Sequence, residues 1–229
     1  MTDLISFRPR AVVFDLDGTL VDNMHLHAES FVAFAARHGL PELTLDLRRR
    51  IDGKRNSEIF PLLFERAMTM EEVLEYEEEK EGAYRRLSVG KLTPIKGAVA
   101  LLDILRARGC PVAVATSAPA KNVEHTLRES GLAARLPVVA RGDEVVNGKP
   151  FPDVFLKAAE KLGVAPGDCL AFEDAPIGVE AAVRAGMRCV AVASTFTPEQ
   201  FASHDPPPEA VVSDYLHFLA GPGRWLAED

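Results

Sequence analysis

The most constraining feature of this sequence is an alternation of short β-branched runs with helix-like stretches, which becomes regular after residue 92. Such alternation is typical of βαβ units, in which helices connect the strands of a parallel sheet. The apolar runs are continuous, as expected for strands that are buried on both faces. The sequence therefore predicts strands at residues 12–14, 112–115, 138–140, 170–172, 189–192 and 210–212.

The stretches between the later runs are predicted to be helices. A glycine stands at the end of each one, where a left-handed residue commonly closes a helix. These glycines are Gly109, Gly131, Gly163 and Gly186. The corresponding helices are predicted at residues 98–108, 121–130, 152–162 and 178–185.

Residues 22–91 interrupt the alternation. They contain three helical stretches, at 24–38, 57–68 and 70–88, and no convincing strand. The acidic run at 71–80 is interpreted as a solvated helix face. The predicted fold is thus α/β, with a Rossmann-like parallel sheet core (1–21 and 92–229) and an inserted α-helical cap domain (22–91).

The composition argues against several classes of partner. A formal net charge of −8 leaves no basic footprint of the kind that nucleic acids and acidic membrane surfaces require. No apolar run is long enough to span a bilayer, and the first ten residues lack the pattern of a secretory signal, so we expect a cytoplasmic protein. Three widely spaced cysteines, without metal-ligand spacing, are interpreted as buried small hydrophobic residues: Cys110, Cys169 and Cys189.

Polar residues follow several of the predicted strands directly. Ligands of open α/β sheets bind beyond the carboxyl ends of the strands, so these residues are expected to form one site. They are Asp15 and Asp17, Thr116 and Ser117, and Glu173 and Asp174, with Lys149 in a turn before a helix.

These residue types predict phosphoryl transfer with Mg²⁺. Clustered carboxylates repel one another unless a cation lies between them, and oxygen ligands with room for water suit Mg²⁺. The Thr116 hydroxyl, backbone donors around Ser117 and the Lys149 ammonium group could hold a phosphate. One carboxylate could then attack phosphorus while its neighbour handles the proton.

Together the residues resemble the four motifs of the haloacid dehalogenase-like hydrolases. The motifs are Asp15-Leu16-Asp17-Gly18-Thr19, Thr116-Ser117, Lys149-Pro150 with Pro152-Asp153, and Glu173-Asp174 with Gly178. All four occur in the family's order, and the similarity covers nearly the whole chain. The insertion at 22–91 resembles the helical cap of the subfamily that contains phosphoglycolate phosphatases, β-phosphoglucomutases and small sugar-phosphate phosphatases.

The resemblance implies roles for the first three motifs. Asp15 would be the nucleophile that forms an aspartyl-phosphate. Asp17 would be the acid/base that protonates the leaving oxygen and later activates water. Thr116 and the backbone at Ser117 would bind the phosphoryl oxygens, and Lys149 would neutralise Asp15 and the phosphoryl group.

The resemblance also implies a metal site and a substrate-reading cap. Mg²⁺ would be bound by the Asp15 carboxylate, the Asp17 carbonyl oxygen and the Asp174 carboxylate, with Glu173 ordering the metal's water molecules. The cap of this subfamily closes over the leaving group and excludes water. The candidate substrate contacts in the cap are His27, Lys54 and Arg55.

The leading hypothesis is an enzyme, a Mg²⁺-dependent phosphatase acting on a small phosphorylated metabolite such as a sugar phosphate or similar phosphomonoester. A phosphomutase of the β-phosphoglucomutase type remains open, because the core chemistry is the same. Thr19 departs from the mutase pattern, as does Asn56 near the expected position of a sugar-phosphate-binding arginine.

Two other functions fit the sequence less well. A non-catalytic binding protein on this fold would be expected to have lost a motif carboxylate, and none is lost. A dehalogenase needs neither magnesium nor the second aspartate, whereas both Asp17 and Asp174 are present. The expected oligomeric state is a monomer.

Overall fold

The computed structural model, which describes residues 7–42 and 44–226, contains a six-stranded, all-parallel sheet. Strands β1 to β6 span Ala11–Phe14, Val112–Thr116, Val139–Arg141, Cys169–Glu173, Arg188–Val192 and Ala210–Val212. Their order across the sheet is β3-β2-β1-β4-β5-β6, so the direction of strand addition reverses beside β1. In open α/β sheets, ligands bind beyond the carboxyl ends of the strands at such a reversal.

Each face of the sheet is covered by its own apolar layer. Along β1, Val12 and Phe14 point into one layer, whereas Ala11 and Val13 point into the other. Phe14 pairs in register with Phe172 of β4, and their rings stack with centroids 5.2 Å apart. Burial on both faces explains why the strand sequences are continuous apolar runs.

Four helices, α1 to α4, form the cap. They span Met24–His38, Leu45–Ile51, Asn56–Leu63 and Met70–Ser88, and all four follow β1 in the chain. The cap has a separate, largely aromatic core, in which Phe34 contacts Phe60 and Tyr76. The prediction of a parallel sheet with an inserted helical cap is therefore confirmed.

The cap helices differ in detail from the prediction. The short helix α2 was not predicted, and α3 ends at Leu63, well before the predicted residue 68. The reason for the early end is that Glu65 adopts a left-handed backbone with φ of 50°, which a helix cannot accommodate. The Thr44 hydroxyl accepts a hydrogen bond from the Leu47 N–H and thereby caps α2.

The remaining helices pack on the two faces of the sheet. Helices α5 to α10 span Ala98–Ala107, Ala120–Glu129, Asp153–Leu162, Pro176–Arg184, Pro198–Ala202 and Tyr215–Ala220. The first four match the predicted core helices within two residues at each end, whereas the short α9 and α10 were not predicted. Short 3₁₀ turns occur at Ala133–Arg135, Gly142–Glu144, Pro166–Asp168 and Arg224–Leu226. Among the residues described, no helix has the length and apolar character needed to cross a bilayer.

The acidic run at 71–80 lies on α4 and is solvated only in part. Glu71, Glu75 and Glu78 are exposed, in agreement with the interpretation as a solvated face. Lys80 is only 2% exposed, so that interpretation is wrong for the end of the run. The cause is helical periodicity, which turns Lys80 toward the space between cap and core.

The three cysteines differ in burial. Cys169 and Cys189 are buried as expected, whereas Cys110 is only partly buried, so the prediction is wrong for Cys110.

Gly163, which directly follows α7, allows the contribution of a helix-ending glycine to the free energy of unfolding to be measured. Gly163 has a left-handed backbone with φ of 66°, and an added methyl group would meet nothing within 4 Å. Gly163→Ala should therefore lower the free energy of unfolding by about 1 kcal/mol, through backbone strain alone. Urea denaturation measures this change. Gly167→Ala is the control, because Gly167 has no left-handed backbone and its added methyl group would lie 3.9 Å from the nearest atom. An equal loss in both variants would contradict the explanation.

Candidate active site

The carboxyl ends of β1, β2 and β4 face the cap across a partly open cavity. The sequence-predicted core residues that line it are Asp15, Asp17, Thr116, Ser117, Glu173 and Asp174. The cap contributes His27, Lys54, Asn56, Lys80 and Glu81. The structure therefore brings together residues that lie more than 150 positions apart in the chain.

Lys149 holds two carboxylates at the floor of this cavity. Its ammonium nitrogen donates to Asp15 Oδ1 and to Glu173 Oε1, each at 2.6 Å, and the side chain is 1% exposed. Burial raises the pKa of Asp15 to about 7, although the charge of Lys149 opposes the rise. Burial alone would lower the pKa of Lys149, but the two carboxylates raise it, so the amine stays charged.

Asp174 and Glu173 follow β4 and are fixed by neighbouring donors. The Thr19 hydroxyl donates to Asp174 Oδ1 at 2.9 Å. The Ala175 N–H donates to Glu173 Oε2 at 2.7 Å. A methyl group on Gly178 would lie 1.7 Å from Glu173 Oε1, so this glycine makes room for the buried carboxylate. Burial and the negative charges of Glu173 and Asp15 raise the pKa of Asp174 well above its usual range.

The charges at the floor of the cavity suit a divalent cation. Asp15, Glu173 and Asp174 are all buried, whereas Lys149, which contacts Asp15 and Glu173, is the one buried cation beside them in the described part of the chain. No cluster of three or more His, Cys, Asp or Glu side chains forms a ready-made metal site among the described residues. The predicted ligands are instead two carboxylates and the Asp17 backbone carbonyl. A cation bound there would offset the surplus negative charge, so the residues present fit Mg²⁺.

Asp17 is held by Asn23, which the sequence analysis did not identify. The Asn23 side-chain amide donates to Asp17 Oδ1 at 2.6 Å and to the Tyr84 hydroxyl at 2.7 Å. Its Oδ1 accepts a hydrogen bond from the Gly18 N–H at 3.1 Å. An asparagine directly before a helix suggests an N-cap, but the Asn23 side chain does not cap α1. No sequence signal therefore pointed to its contact with Asp17.

Thr116 and Ser117 follow β2 but use their hydroxyl groups differently. Thr116 Oγ1 accepts a hydrogen bond from the Ala118 N–H at 3.0 Å, which leaves the hydroxyl hydrogen available to an acceptor in the cavity. The Ser117 hydroxyl donates to the backbone carbonyl of Gly53 at 2.7 Å. Ser117 therefore connects the core to the cap, and only its backbone remains a candidate for phosphate binding.

Two of the three predicted cap residues reach the cavity. His27 stacks on Tyr84, and its Nε2 lies 3.7 Å from Asp17 Oδ1 without a hydrogen-bond partner among the described residues. Lys54 lines the cavity in the loop between α2 and α3. Arg55 is directed elsewhere: its guanidinium group donates to the backbone carbonyls of Gly142, Val145 and Val146. The structure thus does not bring Arg55 to the cavity, where the sequence analysis placed it as a substrate contact.

The buried contacts of Asn23 predict a large effect on stability. Asn23→Ala would remove buried hydrogen bonds to Asp17, Gly18 and Tyr84, although the Gly18 N–H keeps the Val21 carbonyl and the Tyr84 hydroxyl keeps Thr126, so the free energy of unfolding should fall by about 1–3 kcal/mol. Asn147→Ala is the control, because Asn147 is exposed and its side chain donates one hydrogen bond, to Asp153. Chemical denaturation of both variants measures the difference. Equal stabilities would show that the Asn23 contacts contribute little.

Comparison with known proteins identifies the family. Residues 9–186 match the model of the haloacid dehalogenase-like hydrolases. The chain is 36% identical over 182 residues to a phosphorylated carbohydrates phosphatase of Thermotoga maritima, covering 77% of this chain and 82% of that protein. It is 32% identical over 191 residues to a β-phosphoglucomutase of Bacillus subtilis, covering 80% of this chain and 83% of that protein.

A further relative and a solved structure agree with this assignment. Hexitol phosphatase A of Escherichia coli is 35% identical over 198 residues, covering 81% of this chain and 83% of that protein. The crystal structure of a haloacid dehalogenase (HAD) hydrolase, family IA, variant 3, from Entamoeba histolytica superimposes with a TM-score of 0.83 at 27% identity. That match covers 96% of this chain and 99% of the other. The chain therefore belongs to the haloacid dehalogenase-like hydrolases, and it is an enzyme, either a phosphohydrolase or a phosphomutase.

Proposed function

We propose that this enzyme is a Mg²⁺-dependent phosphatase that hydrolyses a small sugar or polyol phosphate through an aspartyl-phosphate on Asp15. The observation that carries the proposal is the Lys149 ammonium group, which lies 2.6 Å from Asp15 Oδ1 at the end of the central strand. It can neutralise both the nucleophile and an incoming phosphoryl group. The names of two relatives, a phosphorylated carbohydrates phosphatase and a hexitol phosphatase, support the substrate class.

In the first half of the reaction, the phosphoryl group moves from the substrate to Asp15. A carboxylate oxygen of Asp15 forms a bond to phosphorus, and the bond between phosphorus and the ester oxygen breaks. Lys149 and the Thr116 hydroxyl stabilise the negative charge on the phosphoryl oxygens. Asp17 gives its proton to the leaving oxygen, so the alcohol departs uncharged.

In the second half, water releases the phosphate. Asp17, which now lacks its proton, takes one from a water molecule as that water bonds to phosphorus. The bond between phosphorus and Asp15 breaks, and inorganic phosphate leaves. The carboxylates of Asp15 and Asp174 and the carbonyl of Asp17 would hold Mg²⁺, which neutralises charge on the transferring group when it is bound. Glu173, hydrogen-bonded to Lys149, is proposed to order water around the metal.

The nucleophile is tested by Asp15→Asn. The amide is neutral and a poor nucleophile, so phosphate release from a panel of sugar and polyol phosphates should fall at least about a thousandfold. Asp22→Asn is the control, because the Asp22 side chain is 65% exposed. Release of inorganic phosphate in the presence of Mg²⁺ is the measurement. Substantial activity in Asp15→Asn would overturn the mechanism.

The metal site is tested through stability as well as activity. Removing Mg²⁺ with EDTA should abolish phosphate release, and adding it back should raise the melting temperature of the wild type by several degrees through binding to the folded state. Asp174→Asn should lose most of this thermal shift. Asp168→Asn should keep it, because Asp168 precedes β4 at the opposite end of that strand. A full shift in Asp174→Asn would exclude that carboxylate as a ligand.

A phosphomutase is the second candidate, and the similarity to a β-phosphoglucomutase favours it. The two activities share the aspartyl-phosphate and differ in whether water or a sugar hydroxyl removes the phosphoryl group. Incubation with β-glucose 1-phosphate and a glucose 1,6-bisphosphate primer separates them. Inorganic phosphate as the main product supports the phosphatase, whereas glucose 6-phosphate identifies a mutase.

A further inference from the structure

The cap wall of the cavity carries two carboxylates that the proposed reaction does not use, the buried Glu81 and the partly buried Asp52. Glu81 is 4% exposed. Burial alone would raise the pKa of Glu81, but the positive charge of Lys80, the neighbouring His27 and hydrogen bonds from Asn56 and Lys80 lower it to about 2. The contacts with Lys80 and Asn56 therefore favour the ionised form of Glu81.

The cations beside these carboxylates are already paired. The Lys80 ammonium nitrogen lies 3.0 Å from Glu81 Oε1, and Arg48 Nη2 lies 3.0 Å from Asp52 Oδ2. Among the residues that the structure describes, Lys54 is the cation of the cap wall without an acidic partner. A single ammonium group cannot balance a second phosphate, which carries nearly two negative charges. A second phosphate on the substrate would thus be buried without adequate compensation, whereas Lys54 could balance a single carboxylate.

The hydrogen bonds of Glu81 leave room for a hydroxyl donor. Oε1 accepts from Asn56 Nδ2 at 2.9 Å and from Lys80 at 3.0 Å. Oε2 accepts from Asn122 Nδ2 at 2.6 Å. Because an ionised carboxylate offers about four acceptor positions, one position on Oε2 remains for a donor in the cavity. A substrate hydroxyl can fill that position, whereas a carboxylate or phosphate oxygen has no proton to donate.

We propose that Glu81 determines specificity by accepting a hydroxyl of the leaving group, so that a substrate without a donor at that position is used less well. This inference rests on the proposed function and narrows its substrate class to phosphomonoesters of polyhydroxylated alcohols.

A matched pair of substrates tests this selectivity. D-glucitol 6-phosphate and D-gluconate 6-phosphate have the same carbon chain and differ at one end, where a CH₂OH group replaces a carboxylate. The wild type should prefer glucitol 6-phosphate at least roughly tenfold in kcat/KM, since the carboxylate of gluconate 6-phosphate has no proton to donate to Glu81 and would lie beside its negative charge. Glu81→Gln should reduce this preference several-fold, by losing activity on glucitol 6-phosphate and gaining it on gluconate 6-phosphate.

Two further variants keep the test decisive. Glu75→Gln is the matched control, because Glu75 lies on the same helix and is exposed, so its substrate preference should equal that of the wild type. If Glu81→Gln does not fold, Glu81→Asp, which keeps the charge but shortens the side chain and withdraws the carboxylate, should shift the preference in the same direction. A preference that neither variant changes, or a wild type that uses both substrates equally, would overturn the proposal.

Binding separates this inference from the proposed function. In the Asp15→Asn background, calorimetry with the same two compounds and Mg²⁺ measures affinity without turnover. Tighter binding of glucitol 6-phosphate, weakened by Glu81→Gln, supports the role of Glu81 even if the wild type releases no phosphate. Equal binding of the two compounds, alongside normal phosphate release by the wild type, would overturn the inference and leave the phosphatase intact.

Discussion

The active site depends on one buried ion cluster, in which the Lys149 ammonium group bridges Asp15 and Glu173. Carboxylates from two adjacent strands cannot stay ionised side by side in a buried site without a compensating cation. Lys149 supplies one positive charge, and the remaining negative charge creates a place that a divalent cation fits. The surrounding contacts from Thr19 and the Ala175 N–H keep the carboxylates in the geometry that the chemistry requires.

The second determinant is the closure of the cap over the core. The Ser117 hydroxyl contacts the Gly53 carbonyl across the gap, and Arg55 donates to core carbonyls between residues 142 and 146. These contacts hold the loop before α3 against the core beside the cavity, so the cap would limit the access of bulk water to the proposed phosphoryl transfer. The core holds the groups that react in the proposed mechanism, and the cap presents Lys54 and Glu81 to the cavity.

Much of the core could be predicted because its signals are local. Continuous apolar runs identified all six strands to within one residue at each end. Helices α2, α9 and α10 escaped prediction because each has seven residues or fewer, too short to show an apolar period. The roles of Asn23 and Glu81 were not predicted for another reason. Asn23 stands before a helix and so resembles an N-cap residue, and Glu81 follows an acidic run and so resembles part of a solvated helix face.

The sequence alone determined the fold class and the core site, because a residue that directly follows a buried parallel strand must lie at the carboxyl edge of the sheet. Asp15, Thr116 and Asp174 lie at that one edge, and they converge because β1 lies between β2 and β4 in the sheet. Only the tertiary structure decided which cap side chains face the cavity. Arg55 turns away and Glu81 turns inward, since the direction of a side chain on a packed helix depends on how that helix sits against the core.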